Sequence, residues 1–556
     1  MEMPEPQTKT FPALISDIES GKIKIPQFQR DFVWTKQKCG GLIDSIIKGY
    51  PIGTFIFWKT KERLRSIRNL GGHKLPDPAK EESVDYVLDG QQRLTSLYAC
   101  LKGIEIKRSE TENTDNFAEI YIDLEANDSD QVVVTEVKDD SENRYISILE
   151  LLKGDFETLA SYPKRHHRKL KVYKNRIESY QYSVIQIRDT PIDIATEIFT
   201  RINVGGKPLS LFEIMTAKTF DQPKDFDLSE KFASLIDSLK PLDYETISDA
   251  TTLQTVSMIV AGECKRQVIL KLPKDTFIEA WGATVDAIQR AVEYFRSAYR
   301  IPVSQLLPYN ALIVPFAYFF YKHPDKPTKD TKKRLEDFFW RCSLSGRYSS
   351  GVEGKLAQDI KRIDDILLGK LPSYDWPIDT SPQFIIDNGY FSAGRSYIKA
   401  ILCIYAYRQP KSFNDNSLVN ISNYWLKQAN SKNYHHFFPK AFLVKKGVDN
   451  FYINHILNIT IVDDFLNKRE IGAKPPAKYM KDFAEVNHDL CEAMKSHYID
   501  DLEEFGIWSN DYDTFFEARA SAISAEIKRR IIVQQIDEKS QAPLVNDIEE
   551  DLLVSE

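Results

Sequence analysis

Apolar positions in the first hundred residues alternate between strand-like and helix-like spacing. Ile23 and Ile25 alternate with lysines, which predicts a short strand ending at Pro26. Leu42, Ile43, Ile46 and Ile47 recur at helical spacing and Gly49 follows, the mark of a helix with a glycine cap. The run 52–58 is β-rich. Residues 86–88 read as a strand that passes at once into DGQQR and an apolar helix carrying Leu94, Leu97 and Leu101. Residues 103–145 are acidic and polar, with strands expected near 120–122 and 132–134. Ile194, Ile198 and Ile202 mark a helix over 192–202, and Gly205 and Gly206 interrupt it. A further helix starts at Ser210, where Glu213 completes an S-x-x-E capping box.

The regime changes at about residue 225. To about 410 helical stripes dominate and strand alternation is rare. Residues 411–433 are polar and lead into a last region. There Thr514 and Glu517 read as a cap for a helix striped by Phe516, Ala520, Ile523, Ile527 and Ile531. From 536 the chain is acidic and polar, and a disordered tail is expected.

Composition narrows the classes. At roughly 150 residues per domain, 556 residues allow three or four domains. Hydrophobic residues at 42% and charged residues at 28% exclude wholesale disorder, collagen and a simple coiled coil. A net charge of −7 excludes a globally basic nucleic-acid coat but not a local patch. One such cluster exists: 161–176 holds seven Lys/Arg, two His and no acid. It reads either as a solvated face or as a DNA-backbone contact. The six cysteines form no CxxC pair, so a cysteine zinc knuckle is excluded, and their scatter fits a reducing cytoplasm. The N-terminus does not read as a signal peptide. The most apolar run, 311–321, is too short for a membrane span and contains Pro315.

Three motifs carry chemistry in the first part. In DGQQR, Gly90 allows close backbone approach, and Gln91 and Gln92 open a helix whose N–H groups favour an anion. Arg93 offers a fork that matches phosphate, while Asp89 can hold a metal or orient the arginine. The alternative is a structural Asp–Arg pair tightening the turn. No P-loop exists in the chain. The segment 26–34, PQFQRDFVW, contributes Gln29 and Arg30 among aromatics. That mix suits base stacking, or an ordinary amphipathic segment. The segment 199–207, FTRINVGGK, carries Arg201 and Asn203 beside a glycine loop.

Together these motifs resemble a bacterial family with a ParB/sulfiredoxin-like α/β N-terminal domain and a DGQQR motif, found in GmrSD-type modification-dependent restriction systems. The resemblance covers about residues 12–220. It rests on IPQFQRDFVW at 25–34, the stretch 42–52, VLDGQQRLTS at 87–96 and FTRINVGGKPL at 199–209. It implies a domain that binds and hydrolyses a nucleoside triphosphate (GTP, ATP or another), with Gln29, Arg30, Asp89, Gly90, Gln91, Gln92, Arg93, Thr95, Arg201 and Asn203 at the nucleotide.

A second cluster lies near the other end: YHHFFP at 434–439, LNITI at 457–461, and Asn467. Phosphodiester hydrolysis without a P-loop needs a base for water and a cation on the phosphate. A neutral His can activate the water, an amide can fix its tautomer, and a second His with an Asn can ligate a divalent ion. The segment resembles the HNH, or ββα-metal, nucleases fused to DGQQR domains. The resemblance implies His436 as general base, Asn458 as its orienting residue, His435 and Asn467 as ligands of Mg²⁺ or Mn²⁺, and Lys474 or Lys478 on the phosphate. His435 stands where an acidic residue is more usual. His455 is expected to pack or face away. His488, Cys491 and His497 are expected on helix surfaces. Arg341, Arg347, Tyr348 and Lys355 are open to DNA contact or to domain bridging.

The expected architecture is therefore multidomain α+β. A ParB-like domain spans 1–220, a helical connector 221–420 and an HNH-like domain with flanking helices 421–535, before the tail at 536–556. The expected protein is a cytoplasmic, modification-dependent DNA endonuclease of anti-phage defence. Its partners are double-stranded, modified DNA and a nucleoside triphosphate, with no membrane, and it leaves room for a homodimer. The competing readings are a nuclease or nickase answering another cue, such as phosphorothioate DNA or a phage protein, and a non-enzymatic ParB-like DNA clamp.

Overall fold

Two elements precede the first expected strand: β1 (Glu5–Thr10) and α1 (Phe11–Glu19), which buries Leu14, Ile15 and Ile18. The computed structural model describes residues 4–545 apart from 27–28, 30–31, 65, 68, 71–72, 75, 77–81, 108–113, 128–129, 138–142, 189, 203–209, 222, 424–433 and 463–470. Arg30, Asn203 and Asn467, together with Gly205 and Gly206, lie outside the described residues.

The expected strand before Pro26 is β2 (Ile23–Pro26), buried throughout. α2 (Lys36–Lys48) is capped by the Thr35 hydroxyl and ends at Gly49 with φ 76°, a left-handed turn suited to glycine. Then come β3 (Phe55–Thr60), β4 (Ser66–Ile67), β5 (Val84–Asp89) and α3 (Gln91–Lys102). A small three-stranded sheet follows, made of β6 (Tyr121–Asp123), β7 (Val133–Val134) and β8 (Tyr145–Ser147). The basic cluster forms a 3₁₀ turn, Lys164–His166, and α4 (His167–Glu178). β9 (Gln181–Arg188) and α5 (Ile192–Ile202) complete the set.

The main sheet has the order β1-β9-β3-β5-β2-β4. The pairs β9–β3 and β5–β2 are parallel, and the others are antiparallel. The core formed by α1, α2, α3, α4 and the sheet is continuous, with Ile18, Ile43, Phe55, Val87, Leu94 and Ile177 buried in it. The helix Leu211–Thr219 begins with the expected capping box, Ser210 and Glu213 bonding reciprocally. These elements fall in one compact unit, Met1–Leu228; the second unit is Ser229–Glu556.

The second unit opens with the helical stretch that the striped sequence dictates. α6 (Asp249–Ala261), α7 (Lys274–Ala298), α8 (Ile313–Lys322) and α10 (Val352–Leu367) pack on one another, and α9 (Lys329–Leu344) packs on α11 (Ser396–Tyr407). The apolar run 311–321 is largely α8, whose Phe316 and Phe319 are buried among aromatic rings. No described helix is long and apolar enough to cross a membrane.

The arginines left open to DNA contact belong to this core. Arg341 is fully buried, 3.0 Å from Asp337 and 2.9 Å from Asp537. Arg347 pairs with buried Asp359, which also accepts the Tyr348 hydroxyl at 2.7 Å. Buried charge survives only where it is paired and hydrogen-bonded, so these residues hold helices together and do not meet DNA. Lys355 is half-buried on α10. Asp537 sits in a short helix, Gln535–Lys539, and also accepts the Ile378 N–H. The packing continues to buried Val545, past residue 536 where the sequence suggests that disorder begins.

The last elements carry the second cluster: β10 (Tyr434–His436), α12 (Asn450–Ile453), β11 (Ile459–Ile461), α13 (Pro476–Val486) and α14 (Tyr512–Lys528). α14 starts two residues before Thr514. Its cap is Asp511, whose carboxylate accepts the Thr514 N–H and hydroxyl. His497 is buried, with Nε2 2.8 Å from the Lys411 carbonyl, which corrects its expected surface position. His488 and Cys491 are exposed as expected.

Candidate active site

In the first unit, β5 hands over to α3 through Gly90 at φ 94°, and a Cβ there would lie 2.5 Å from the Phe55 ring. The turn thus requires glycine. Arg93 reaches across it. Its two terminal nitrogens donate to the carbonyls of Ile52 (2.8 Å) and Thr54 (3.0 Å), and Nη2 also meets Asp89 at 2.9 Å. The guanidinium lies over the Phe55 ring, 5.2 Å from its centroid. Gly53, at φ 86°, makes room for it. Of the two readings of this pair, the geometry matches the turn-tightening one.

Gln29 of the neighbouring segment and Gln92 of DGQQR also work inward. Gln29 donates to the carbonyls of Val87 and Leu88 at the end of β5, and Gln92 accepts the Val33 N–H at 2.9 Å. Gln91 is buried. Phe32 and Trp34 pack against the core and do not form an open stacking platform. So Gln29 and Val33 are brought together with DGQQR at one end of β5. α5 packs on the same strand, but Arg201 at its end is exposed and pairs with Glu197. Thr95, one turn into α3, is 1% exposed, and its hydroxyl has no hydrogen-bond partner among the described residues. An unsatisfied buried hydroxyl near the start of a helix fits a polar ligand.

In the second unit, β10 and β11 form an antiparallel hairpin with His435 opposite Thr460 and His436 opposite Ile459. Side chains alternate along a strand. The His435 ring meets Tyr479 of α13, edge-on, with centroids 6.2 Å apart. The His436 ring turns to Asn454, with Nε2 3.1 Å from Oδ1. The Asn454 amide is itself fixed, since Nδ2 donates to Asn450 Oδ1 at 2.7 Å. A carbonyl accepts, so His436 Nε2 carries the ring proton and Nδ1 is left as the acceptor. Burial holds the His436 imidazole below the usual histidine range. The Asn454 bond opposes that shift and the charge of Lys440 adds to it. A half-buried, neutral imidazole with one nitrogen fixed is the form a general base needs.

Asn458 does something other than orient His436. It is fully buried. Its Oδ1 accepts the Phe438 N–H (2.9 Å), and its Nδ2 donates to the carbonyls of Phe438 (3.1 Å) and Ile453 (3.0 Å). It fixes the loop that follows His436, while Asn454 holds the ring. From α14, buried Arg519 donates to the carbonyls of Leu457 and Ile459 and secures the start of β11. His455 packs as expected, with Nε2 on the Ile386 carbonyl. Lys474 is paired with Asp482 at 3.0 Å, and Lys478 is exposed on α13. Asn454, Lys440 and Arg519 escape the sequence reading. Only Asn450 and Asn454, four apart on one helical turn, leave a trace of it.

Residues 12–220 match the family model of the GmrSD restriction endonuclease, N-terminal domain. Along 91% of its length the chain is similar to an uncharacterized protein of Methanocaldococcus jannaschii, MJ0686. The two are 26% identical over 569 aligned residues, which cover 94% of that protein.

Proposed function

We propose that this chain is a DNA endonuclease of the restriction type, with His436 as its general base. The observation that carries the reading is the His436–Asn454 pair on a hairpin pinned by Asn458 and Arg519. The match of residues 12–220 to a restriction endonuclease domain supplies DNA as the substrate class. His436 Nδ1 takes a proton from water as its oxygen bonds to phosphorus. The P–O bond to one sugar breaks, and its electron pair leaves on the sugar oxygen. Lys440, Lys474 and Lys478 offer positive charge to the phosphate.

Two further parts of the reading go beyond this pair. In this reading His435 and Asn467 would hold Mg²⁺ or Mn²⁺, and such an ion would supply charge stabilisation at the phosphate. Among the described residues no trio of His, Cys, Asp or Glu forms a metal set. The first unit binds and hydrolyses a nucleoside triphosphate at the β5–α3 turn, and it regulates cleavage of modified DNA. The amides that open α3 and the Thr95 hydroxyl fit phosphate oxygens there. Arg93, bonded to two carbonyls, shapes the turn instead.

The test is a cleavage assay with Mg²⁺ or Mn²⁺, with and without each nucleoside triphosphate. Its substrates are matched phage DNAs carrying cytosine, hydroxymethylcytosine or glucosylated hydroxymethylcytosine. Cutting restricted to modified DNA is expected. Uniform cutting removes the modification-dependent part. No cutting of any of them removes the proposal that these modifications license cleavage.

A further inference from the structure

The basic cluster has a geometry that the cleavage site does not use. Lys164, Arg168 and Lys171 recur at intervals of four and three and are exposed. Asn175 continues the line. His166, Leu170, Tyr173 and Ile177 recur in the same way and are buried, so Lys164, in the 3₁₀ turn that leads into α4, and Arg168 and Lys171 on α4 face away from the core. Over seven residues the helical rise is roughly 10 Å.

Of the other four cations of the cluster, three are already engaged, and the fourth, Lys174, is half-buried. Arg165 meets Glu125 at 2.9 Å, Lys169 donates to the Leu124 and Ala126 carbonyls, and Arg176 donates to the Ile47 carbonyl. Lys164, Arg168 and Lys171 have no ion pair or side-chain hydrogen bond among the described residues. Glu178 is the one acid on α4 and lies at its far end.

The placement also runs against the helix itself. The first turn of α4 has no acid and no side-chain cap, and Arg168 and Lys169 stand at the positive end of its dipole. Each cation there costs roughly 0.3–1 kcal/mol.

We infer that this ridge on α4 is a docking surface for the phosphate backbone of duplex DNA. Charge complementarity favours a polyanion, with DNA carrying one charge per roughly 1.7 Å of duplex axis. The contact is independent of base sequence, because the ridge presents cations and no base-reading edge. The choice of DNA rests on the restriction-enzyme reading, whereas the ridge itself does not depend on the cleavage chemistry.

The test uses the full chain in EDTA, so that binding is read apart from cutting. A fluorescent 30-base-pair duplex is titrated at several salt concentrations with three proteins. These are the wild type, Lys164→Gln/Arg168→Gln/Lys171→Gln, and a control with the same charge change at exposed positions of the second unit, Lys326→Gln/Lys329→Gln/Lys333→Gln. Circular dichroism verifies that all three fold. At 0.1 M salt the ridge variant is expected to bind at least tenfold more weakly than the wild type. The slope of log K against log salt is expected to be shallower by about 2–3, with the control close to wild type. Equal losses in both variants, wild-type binding by the ridge variant, or no duplex binding by the wild type each overturn the inference. Stronger competition by duplex RNA than by duplex DNA overturns the assignment of DNA. Salt-dependent binding without cleavage under any metal condition leaves the ridge standing and removes the nuclease reading.

Discussion

Replacing Asn458 by alanine separates a structural amide from an orienting one. The side chain is fully buried and bonds three backbone groups: the Phe438 N–H, the Phe438 carbonyl and the Ile453 carbonyl. Alanine leaves all three without that partner. Each orphaned buried group costs roughly 1–3 kcal/mol, and shared relaxation keeps the total below the sum, at about 3–6 kcal/mol. Against a typical domain stability of about 5–15 kcal/mol, that is a large share. The assay is urea unfolding at pH 7.5 by near-ultraviolet circular dichroism, run beside Asn454→Ala. Asn458→Ala is expected to lower the midpoint of the second unit's transition sharply. A loss below about 1 kcal/mol together with full loss of cleavage refutes the reasoning, because Asn458 then acts on the chemistry and not on the loop.

Three other expectations follow from the same geometry. Asn454→Ala frees the His436 ring and removes the bond that raises its pKa. DNA cleavage is expected to fall by roughly 10–100-fold in kcat with KM little changed, and stability to move by less than about 1 kcal/mol. The acid limb of its pH–rate profile shifts to lower pH, and an unmoved limb removes Asn454 from the positioning role. Acid is expected to destabilise the second unit through His455 and His497, both held by burial down to about 4. Between about pH 6.5 and 4 the unfolded chain takes up protons that the folded chain refuses. The stability present above 6.5 is therefore lost as pH falls, by about 3 kcal/mol per histidine; denaturant midpoints at pH 7 and 4.5 measure it, and equal midpoints contradict the burial of neutral rings. Gly90→Ala forces φ 94° on a residue with a Cβ 2.5 Å from Phe55. It is expected to cost the first unit roughly 2–4 kcal/mol, read as a lowered thermal midpoint.

Local punctuation made much of the fold readable. Pro26 ends β2, Gly49 ends α2, and Ser210 with Glu213 opens a helix, because each acts on its own backbone within four residues. The site was readable as residue types and not as partners. His436 and Asn458 stand out by motif, yet Asn458 bonds the loop and Asn454 bonds the ring, a choice made by the fold of 437–458. Arg93 looked equally suited to phosphate or to a turn; the carbonyls of Ile52 and Thr54 that engage it lie some forty residues upstream. Arg341 stood open to DNA contact or domain bridging and His497 looked like a surface residue, since the Asp537 and Lys411 groups that satisfy them come from distant segments. Helical and strand periodicity reports which face is apolar, and it carries no record of which remote polar group meets a buried charge.

The central claim is that His436 is the base of a DNA-cleaving site. Its most direct test compares wild type with His436→Ala on modified duplex DNA, with Mg²⁺ or Mn²⁺ and nucleoside triphosphate, after equal binding in EDTA has been established. The account predicts a fall in cleavage of roughly 10²–10⁴-fold with DNA affinity unchanged. Cleavage by His436→Ala at the wild-type rate contradicts it.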